Sequence, residues 1–319
     1  MAPTFVLTPR GLRSLTQIER LLGRCDGLDV AQPQPLLRKK NQVRSVRASA
    51  AIEGNTLSEE QVTALLEGRR VIGERKEITE ILNVNTAYER LPNWRAASRT
   101  SLCSAHGVLM KGLTADAGRL RTSSVGVFRG KKLAHLAPPA HLVFDHVTRL
   151  LRWTTRSDAP RIVTAVVTHY ELLFIHPFLD GNGRLSRLWQ QVVQAPHHAV
   201  LRYVPIESII RERQRGYYDA LRASDRSGGA TPFLDFTLSA MVAALEQFVS
   251  EVRPDVPNVE SRVEASRKKL GRRWFSRLDY LALHPRISTA TASRDLATAL
   301  SDRTLEARGA RRLTQYRFR

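Results

Sequence analysis

The stretch His176-Pro-Phe-Leu-Asp-Gly-Asn-Gly-Arg-Leu-Ser-Arg187 gathers a titratable base, a carboxylate, two glycines around an amide, and two arginines into twelve residues. His176 can exchange a proton near neutral pH. Asp180 is a hard oxygen ligand of the kind that Mg²⁺ prefers. Gly181-Asn182-Gly183 lets the backbone reach φ > 0 and turn successive N–H groups toward one point, an anion-binding nest. A helix that begins near Asn182 adds its first-turn amides and its dipole to that attraction. Arg184 and Arg187 then lie three apart on one helix face, with forked donors for a common phosphate group. Each residue alone fits an ordinary turn or a solvated face. Together, behind the apolar run Leu172-Leu173-Phe174-Ile175, they read as a site for a nucleotide polyphosphate.

Working outward, Pro160 precedes a long apolar helix over 161–174 that delivers the chain to the loop, and Leu188, Trp189, Val192 and Val193 continue the helix after it. Periodicity also predicts helices over 12–22, 79–91, 101–113, 143–154, 233–245, and from about 205 through Leu221. Ser58 is the expected N-cap of a helix over 59–68, with Glu59 and Glu60 in its first turn and Gly68 at its exit. Val125, Gly126 and Val127 alternate large and small ahead of a Gly-Lys-Lys turn, which reads as a short hairpin. The fold class is therefore mainly α with a small β-hairpin.

The 319 residues can bury a large core, in a main body and one small appendage. Two cysteines, Cys25 and Cys103, make no disulfide framework and suggest a reducing, cytoplasmic setting. The N-terminus lacks the pattern of a secretory signal, and no apolar run approaches a membrane span; no membrane partner is expected. The net charge of +20, from 50 Lys+Arg against 30 Asp+Glu, favours polyanions. His106, His169, His197 and His198 lack Cys or carboxylate neighbours at metal-ligand spacing and read as core or surface histidines.

The twelve-residue run resembles the core motif of the Fic family, H-x-F-x-D/E-G-N-G-R-x-x-R, at every specified position. The resemblance implies a Fic-type helical core and a protein adenylyltransferase that moves AMP from ATP to a Ser, Thr or Tyr hydroxyl of a target protein and releases pyrophosphate. It implies that His176 is the general base, that Asp180 holds Mg²⁺, and that Gly181, Asn182 and Gly183 cradle the phosphates. Arg184 would contact the β-phosphate and Arg187 the γ-phosphate, with Phe178 packed beneath the loop. Ser49-Ala-Ala-Ile-Glu-Gly-Asn55 resembles the family's inhibitory sequence, S/T-x-x-x-E-G/N, which implies that Glu53 pairs with Arg187 and keeps the γ-phosphate out. By the same resemblance the hairpin at Val125, Gly126 and Val127 is a flap that docks the target strand, and Tyr217 and Tyr218 approach the nucleotide base. Homodimers are expected from relatives. The motif grips phosphates and says little about the base, so transfer of another nucleotide such as UMP stays open. So does a DNA-binding regulator that uses this domain as a nucleotide sensor or self-modifier.

Residues 251–262 read as a polar, proline-punctuated linker. It separates an N-terminal helical region (1–70) and a Fic domain (71–250) from a basic module (263–319). There, helices over 273–283 and 288–300 and a hairpin turning at Gly309 resemble a winged-helix-like tail, with the middle helix cut down or missing. Such a tail implies DNA as a partner, with Thr289, Thr291, Ser293 and Arg294 facing the major groove and Arg311 or Arg312 meeting phosphate; with the middle helix short, a dimerisation or target-docking role stays open.

Overall fold

A computed structural model describes residues 3–27, 35–129, 132–252, 259–285, 287–309 and 314–319. The chain divides into two compact units, Met1–Val252 and Arg253–Arg319.

The first unit is built from α1 (Pro9–Gly27), α2 (Pro35–Ile52), α3 (Glu59–Leu66), α4 (Arg75–Glu89) and α5 (Arg99–Leu109). An antiparallel hairpin follows, β1 (Gly126–Arg129) with β2 (Lys132–Leu136). Then come α6 (Ala140–Arg156), α7 (Arg161–Ile175), α8 (Asn182–Gln194), α9 (Ile206–Glu212), α10 (Gln214–Ser227) and α11 (Thr231–Val252). The first two elements are not a separate layer, because α1 packs on α11, and α2 on α4 and α9.

Helix α7 is apolar on all sides, and that decides its place. Ile162, Val163, Val166, Val167 and Tyr170 enter one core with α1 and α11. Ala165, Leu172 and Ile175 enter a second core with Leu185, Leu188 and Trp189 of α8 and the inner faces of α4, α5 and α6. The α7–α8 pair thus lies between two cores, and the loop joining them is held by packing on both sides. Each large apolar side chain buried there contributes about 1.5–3 kcal/mol, so the loop is attached to two well-packed helices. Helix α11 is long and apolar enough to cross a membrane by composition, but 56% of that stretch is buried inside the fold, where Phe233, Leu234, Leu238, Met241 and Leu245 fill the core.

Local signals act as expected at several ends. Ser58 caps α3 in a capping box with Gln61. Helix α2 ends in a turn at Gly54 with φ +105°, a conformation open to glycine. The helix expected from 205 through Leu221 is instead two, with a kink at Arg213. The kink lets α9 pack on α2 while α10 packs on α11.

The second unit corrects the sequence expectation. Its order is α12 (Val259–Leu270), β3 (Phe275–Ser276), α13 (Arg277–Leu283), α14 (Thr289–Ser301), β4 (Leu305–Arg308) and β5 (Gln315–Phe318), with sheet order β3-β5-β4. No middle helix is missing, since α13 is that helix. The expected helix over 273–283 starts late because Ser276 and Asp279 form a capping box that fixes the N-terminus there. Phe275 is thereby left to pair with Tyr316 in the sheet. Helix α12 begins inside the segment read as linker. Its charged sequence hides a buried face: Arg262 donates from Nε and Nη2 to Asp295 of α14, both at 2.6 Å. The Tyr280 hydroxyl adds a third bond to Asp295 at 3.1 Å. Phe275 stacks on Phe318, ring centroids 5.4 Å apart, beneath this network. The two strands of the wing meet near Gly309, where φ is +83°; Arg311 and Arg312 lie outside the described residues.

Candidate active site

Helix α7 stops at His176, whose backbone is left-handed (φ 49°, ψ 61°). A non-glycine residue there is strained and needs outside support. Arg121 supplies it. This buried guanidinium donates to the carbonyls of His176 (2.7 Å) and Ile175 (3.2 Å), and to those of Ser123 (2.9 Å) and Pro138 (2.6 Å) at the base of the hairpin. The half-buried His176 ring has Nδ1 3.4 Å from the Leu173 carbonyl. With Nδ1–H directed there, the basic lone pair is on Nε2.

The loop then turns back on itself. Asn182 accepts from the Phe178 N–H at 3.0 Å and donates to the Phe178 carbonyl at 2.9 Å. The side chain thus shapes the loop, while the Asn182 backbone N–H stands in the first turn of α8. The first-turn amides of α8 have no acceptor within the helix, and Gly181 takes the left-handed φ of 79° that turns the chain into it. A Cβ on Gly181 would fall 2.5 Å from the Met110 sulfur. Phe178 is fully buried, and His106 stacks on it at 3.7 Å between centroids. His106 Nδ1 accepts from Gly118 N–H at 2.9 Å, so Nε2 carries the proton and donates to the Asp180 carbonyl at 2.8 Å. Burial is the main cause that pushes the His106 pKa down to about 4, so the ring is a neutral structural pin.

Asp180 is exposed, with one carboxylate oxygen 2.6 Å from the Gly181 N–H and 3.4 Å from Arg184 Nη2. No group of three or more His, Cys, Asp or Glu stands together among the described residues. A lone hard carboxylate beside a phosphate nest fits a Mg²⁺ ion that takes most of its ligands from phosphate and water.

Arg187 has a side chain only 1% exposed. Its Nη2 donates to Glu53 Oε1 at 2.8 Å and to the Ser49 carbonyl at 2.8 Å, while Nε meets Ser49 Oγ at 3.2 Å. Small residues at Ser49 and Ala50 let α2 approach α8 this closely. Burial is the largest influence and lowers the Arg187 pKa, but the Glu53 charge and hydrogen bond, with Tyr217 and Tyr88, together outweigh it and the pKa rises. A Cβ on Gly183 would fall 2.2 Å from Glu53 Oε1. The carboxylate therefore lies directly over the N-terminal turn of α8, where an anion is most favoured. Arg184 is buried too. It pairs through Nη1 with Glu80 of α4.

Other expected residues fall elsewhere. Tyr217 is not at the surface of the site: it is buried, with its hydroxyl 3.1 Å from His169 Nε2 and its ring against Phe233. The Gln-x-x-Tyr-Tyr spacing turns this residue inward, so the expected base contact gives way to a core role. Tyr218 is half-buried and donates to the Ile52 carbonyl at 3.3 Å, beside Gln214 Nε2 at 2.9 Å from the same oxygen. It therefore holds the end of the Glu53 helix. Gly126 and Val127 lie in β1, paired with Leu136 and His135, and Val125 leads into that strand. His169 is core, His197 and His198 pair at the surface with Glu19 and Asp26, and none stands in a metal cluster. On α14, Thr289 and Arg294 are exposed and Thr291 and Ser293 half-buried, with Ser293 Oγ accepting from Arg277 at 3.0 Å. Glu80, His106 and Arg121 were missed as site residues. A carboxylate on the otherwise apolar inner face of α4 was the one sequence signal for Glu80.

A family model described as Fic/DOC family matches residues 97–193, which run from ahead of α5 to the penultimate residue of α8. A curated relative, protein adenylyltransferase fic-1 of Caenorhabditis briggsae, is 27% identical over 224 residues, 66% of this chain and 42% of the relative. Protein adenylyltransferase Fic of Aedes aegypti is 25% identical over 232 residues, 69% of this chain and 44% of the relative. The chain thus spans under half the length of these curated relatives. The crystal structure of a Fic family protein from Desulfovibrio desulfuricans G20 superposes with a TM-score of 0.76 and 35% identity, covering 100% of this chain and 98% of that one. With the loop geometry, the paired arginines and this end-to-end likeness, the chain belongs to the Fic family.

Proposed function

We propose that this protein is an AMP transferase acting on a hydroxyl side chain of a target protein, held inactive by its own Glu53. The observation that carries the reading is the Glu53 carboxylate bonded to Arg187 over the first turn of α8. It is an anion seated where a polyphosphate must end. The curated relatives' name, protein adenylyltransferase, supports AMP as the transferred group.

In this reading ATP lays its phosphates along the first-turn amides of α8, with Arg187 at the γ-phosphate and Arg184 at the β-phosphate. Asp180 would hold Mg²⁺, whose charge offsets that of the phosphates. His176 Nε2 takes the proton as the target oxygen attacks the α-phosphorus, and pyrophosphate leaves against Arg184 and the helix dipole. Positioning and charge neutralisation supply most of the rate in such transfers. The flap at Val125, Gly126 and Val127 would align the target by adding a strand, a common mode of peptide recognition. A reducing compartment such as the cytoplasm fits two cysteines held as free thiols.

The complete winged-helix order of the second unit favours a second partner, DNA, for the tail. The exposed Thr289 and Arg294 begin its third helix.

Replacing His176 with Ala should lower AMP transfer by about 10²–10⁴ while ATP binding, measured by calorimetry, is kept. Transfer at the wild-type rate would remove His176 from the chemistry. Glu53→Gly should raise self- or target modification with labelled ATP, and Glu53→Gly combined with Arg187→Ala should be inactive, because the released arginine is itself required. Arg187 is buried, so loss of Glu53 should lower stability while it raises transfer; that opposition of signs reports competition for the site, and no activation at any ATP concentration rejects autoinhibition. For the tail, affinity for duplex DNA should fall steeply with salt as phosphate contacts release counterions, and truncation after Val252 should abolish it. Undiminished binding by the truncated chain would move the footprint to the first unit.

A further inference from the structure

We propose that Glu80 is a positioning residue for Arg184, fixing that guanidinium so that its outer edge meets the β-phosphate of a bound nucleotide. The proposal deepens the polyphosphate reading above and rests on it.

Glu80 lies on the inner face of α4, beside Ile81, Val84 and Ala87, all fully buried. A carboxylate on such a face is unfavourable unless both its charge and its lone pairs are answered. Both are. Oε1 takes Arg184 Nη1, and Oε2 takes Asn55 Nδ2 at 2.9 Å. Asn55 is itself fixed: its Nδ2 also reaches the Glu77 carbonyl at 3.1 Å, and its Oδ1 accepts from the Leu57 N–H at 3.2 Å. Glu80 is therefore held through Oε2 by a backbone-anchored amide, which leaves Oε1 fixed toward Arg184. Arg184, 7% exposed at its side chain, inherits one orientation from it.

That orientation points the other edge of the guanidinium at the site. Nη2 is 3.4 Å from the exposed Asp180 carboxylate, the residue that would carry the metal. Nε of Arg184 is buried with no partner among the described residues, so this arginine still has donor capacity that no side chain meets. A flexible side chain that must order on binding weakens binding, and one ordered beforehand does not. Glu80 is thus the part of the site that makes Arg184 ready before the nucleotide arrives.

The same contact could instead be a second lock, analogous to Glu53 on Arg187. The geometry argues against that. Glu53 sits 31% exposed at the mouth, over Gly183, where a phosphate displaces it. Glu80 is 10% exposed at its side chain and grips Arg184 from the core side, away from the open end. The two readings predict opposite signs.

The test is a double-mutant cycle in the full-length Glu53→Gly chain, reading the Kd of Mg–ADP by calorimetry. Arg184→Ala should weaken binding about ten- to a hundredfold, the range for losing a charged hydrogen bond. Glu80→Ala should weaken it by a similar factor when Arg184 is present and by less than about twofold when Arg184 is already Ala, the level expected of uncoupled sites. Glu80→Gln, which keeps the shape and one acceptor, should retain most of the affinity. If Glu80→Ala does not fold, as judged by thermal melting, the Gln variant alone completes the cycle, with its smaller loss again confined to chains that contain Arg184. Equal losses with and without Arg184 would overturn the proposal, and so would tighter binding on removing Glu80, the mark of a lock. AMP transfer measured on the Glu53→Gly parent separates the two levels. A parent that binds Mg–ADP yet transfers nothing rejects the transferase reading, while the cycle still decides the role of Glu80.

Discussion

A guanidinium buried at the start of a helix demands an anion, and much of this structure follows from that demand. Arg187 is nearly inaccessible, packed between α2 and α8 beside Tyr217. Left without a counter-charge, such a group would cost several kcal/mol. Two anions can meet it: the carboxylate of Glu53 or the terminal phosphate of a nucleotide. They cannot do so together, because Glu53 already lies over Gly183, on the path to the helix amides. In the proposed function, the tethered carboxylate and a free polyphosphate compete for this one guanidinium.

The remaining parts of the site make that competition sharp. The loop is shaped by Asn182 on Phe178, pinned from below by neutral His106 on the Asp180 carbonyl, and braced at its entrance by Arg121. Each of these contacts ends on main chain, so the amides keep their direction whichever anion is present. The segment that carries Glu53 reaches further: Asn55 holds Glu80, and Glu80 holds Arg184. The turn after α2 therefore meets Arg187 directly through Glu53 and reaches Arg184 through Asn55 and Glu80.

Much of this was readable in the chain because local rules carried it. The loop from His176 to Arg187 states its glycines, its base and its arginines within twelve residues, and the starts of α3 and α8 follow from a capping serine and a Gly-Asn-Gly turn. What could not be read was long-range. Glu80 and Arg184 are 104 positions apart, and His106 and Asp180 are 74 apart; no periodicity reveals such pairs. The loop-shaping role of the Asn182 side chain was not legible, because an amide beside two glycines suits a ligand or its own loop equally and only the position of Phe178 decides. In the second unit α12 was missed because its buried face includes an arginine, Arg262, which looks solvent-facing until Asp295 is seen opposite it.

The central claim is that Glu53 occupies the place of the γ-phosphate on Arg187. The ratio of ATP to ADP affinity, measured by calorimetry with Mg²⁺ in the wild-type and Glu53→Gly chains, tests it most directly. With Glu53 in place the γ-phosphate has no partner, so ATP should bind no more tightly than ADP. With Glu53 removed, ATP should bind about tenfold or more tighter than ADP, the factor expected for one charge-assisted contact. The same ratio in both chains would mean that Glu53 and the γ-phosphate do not share a site, and the account of autoinhibition would be wrong.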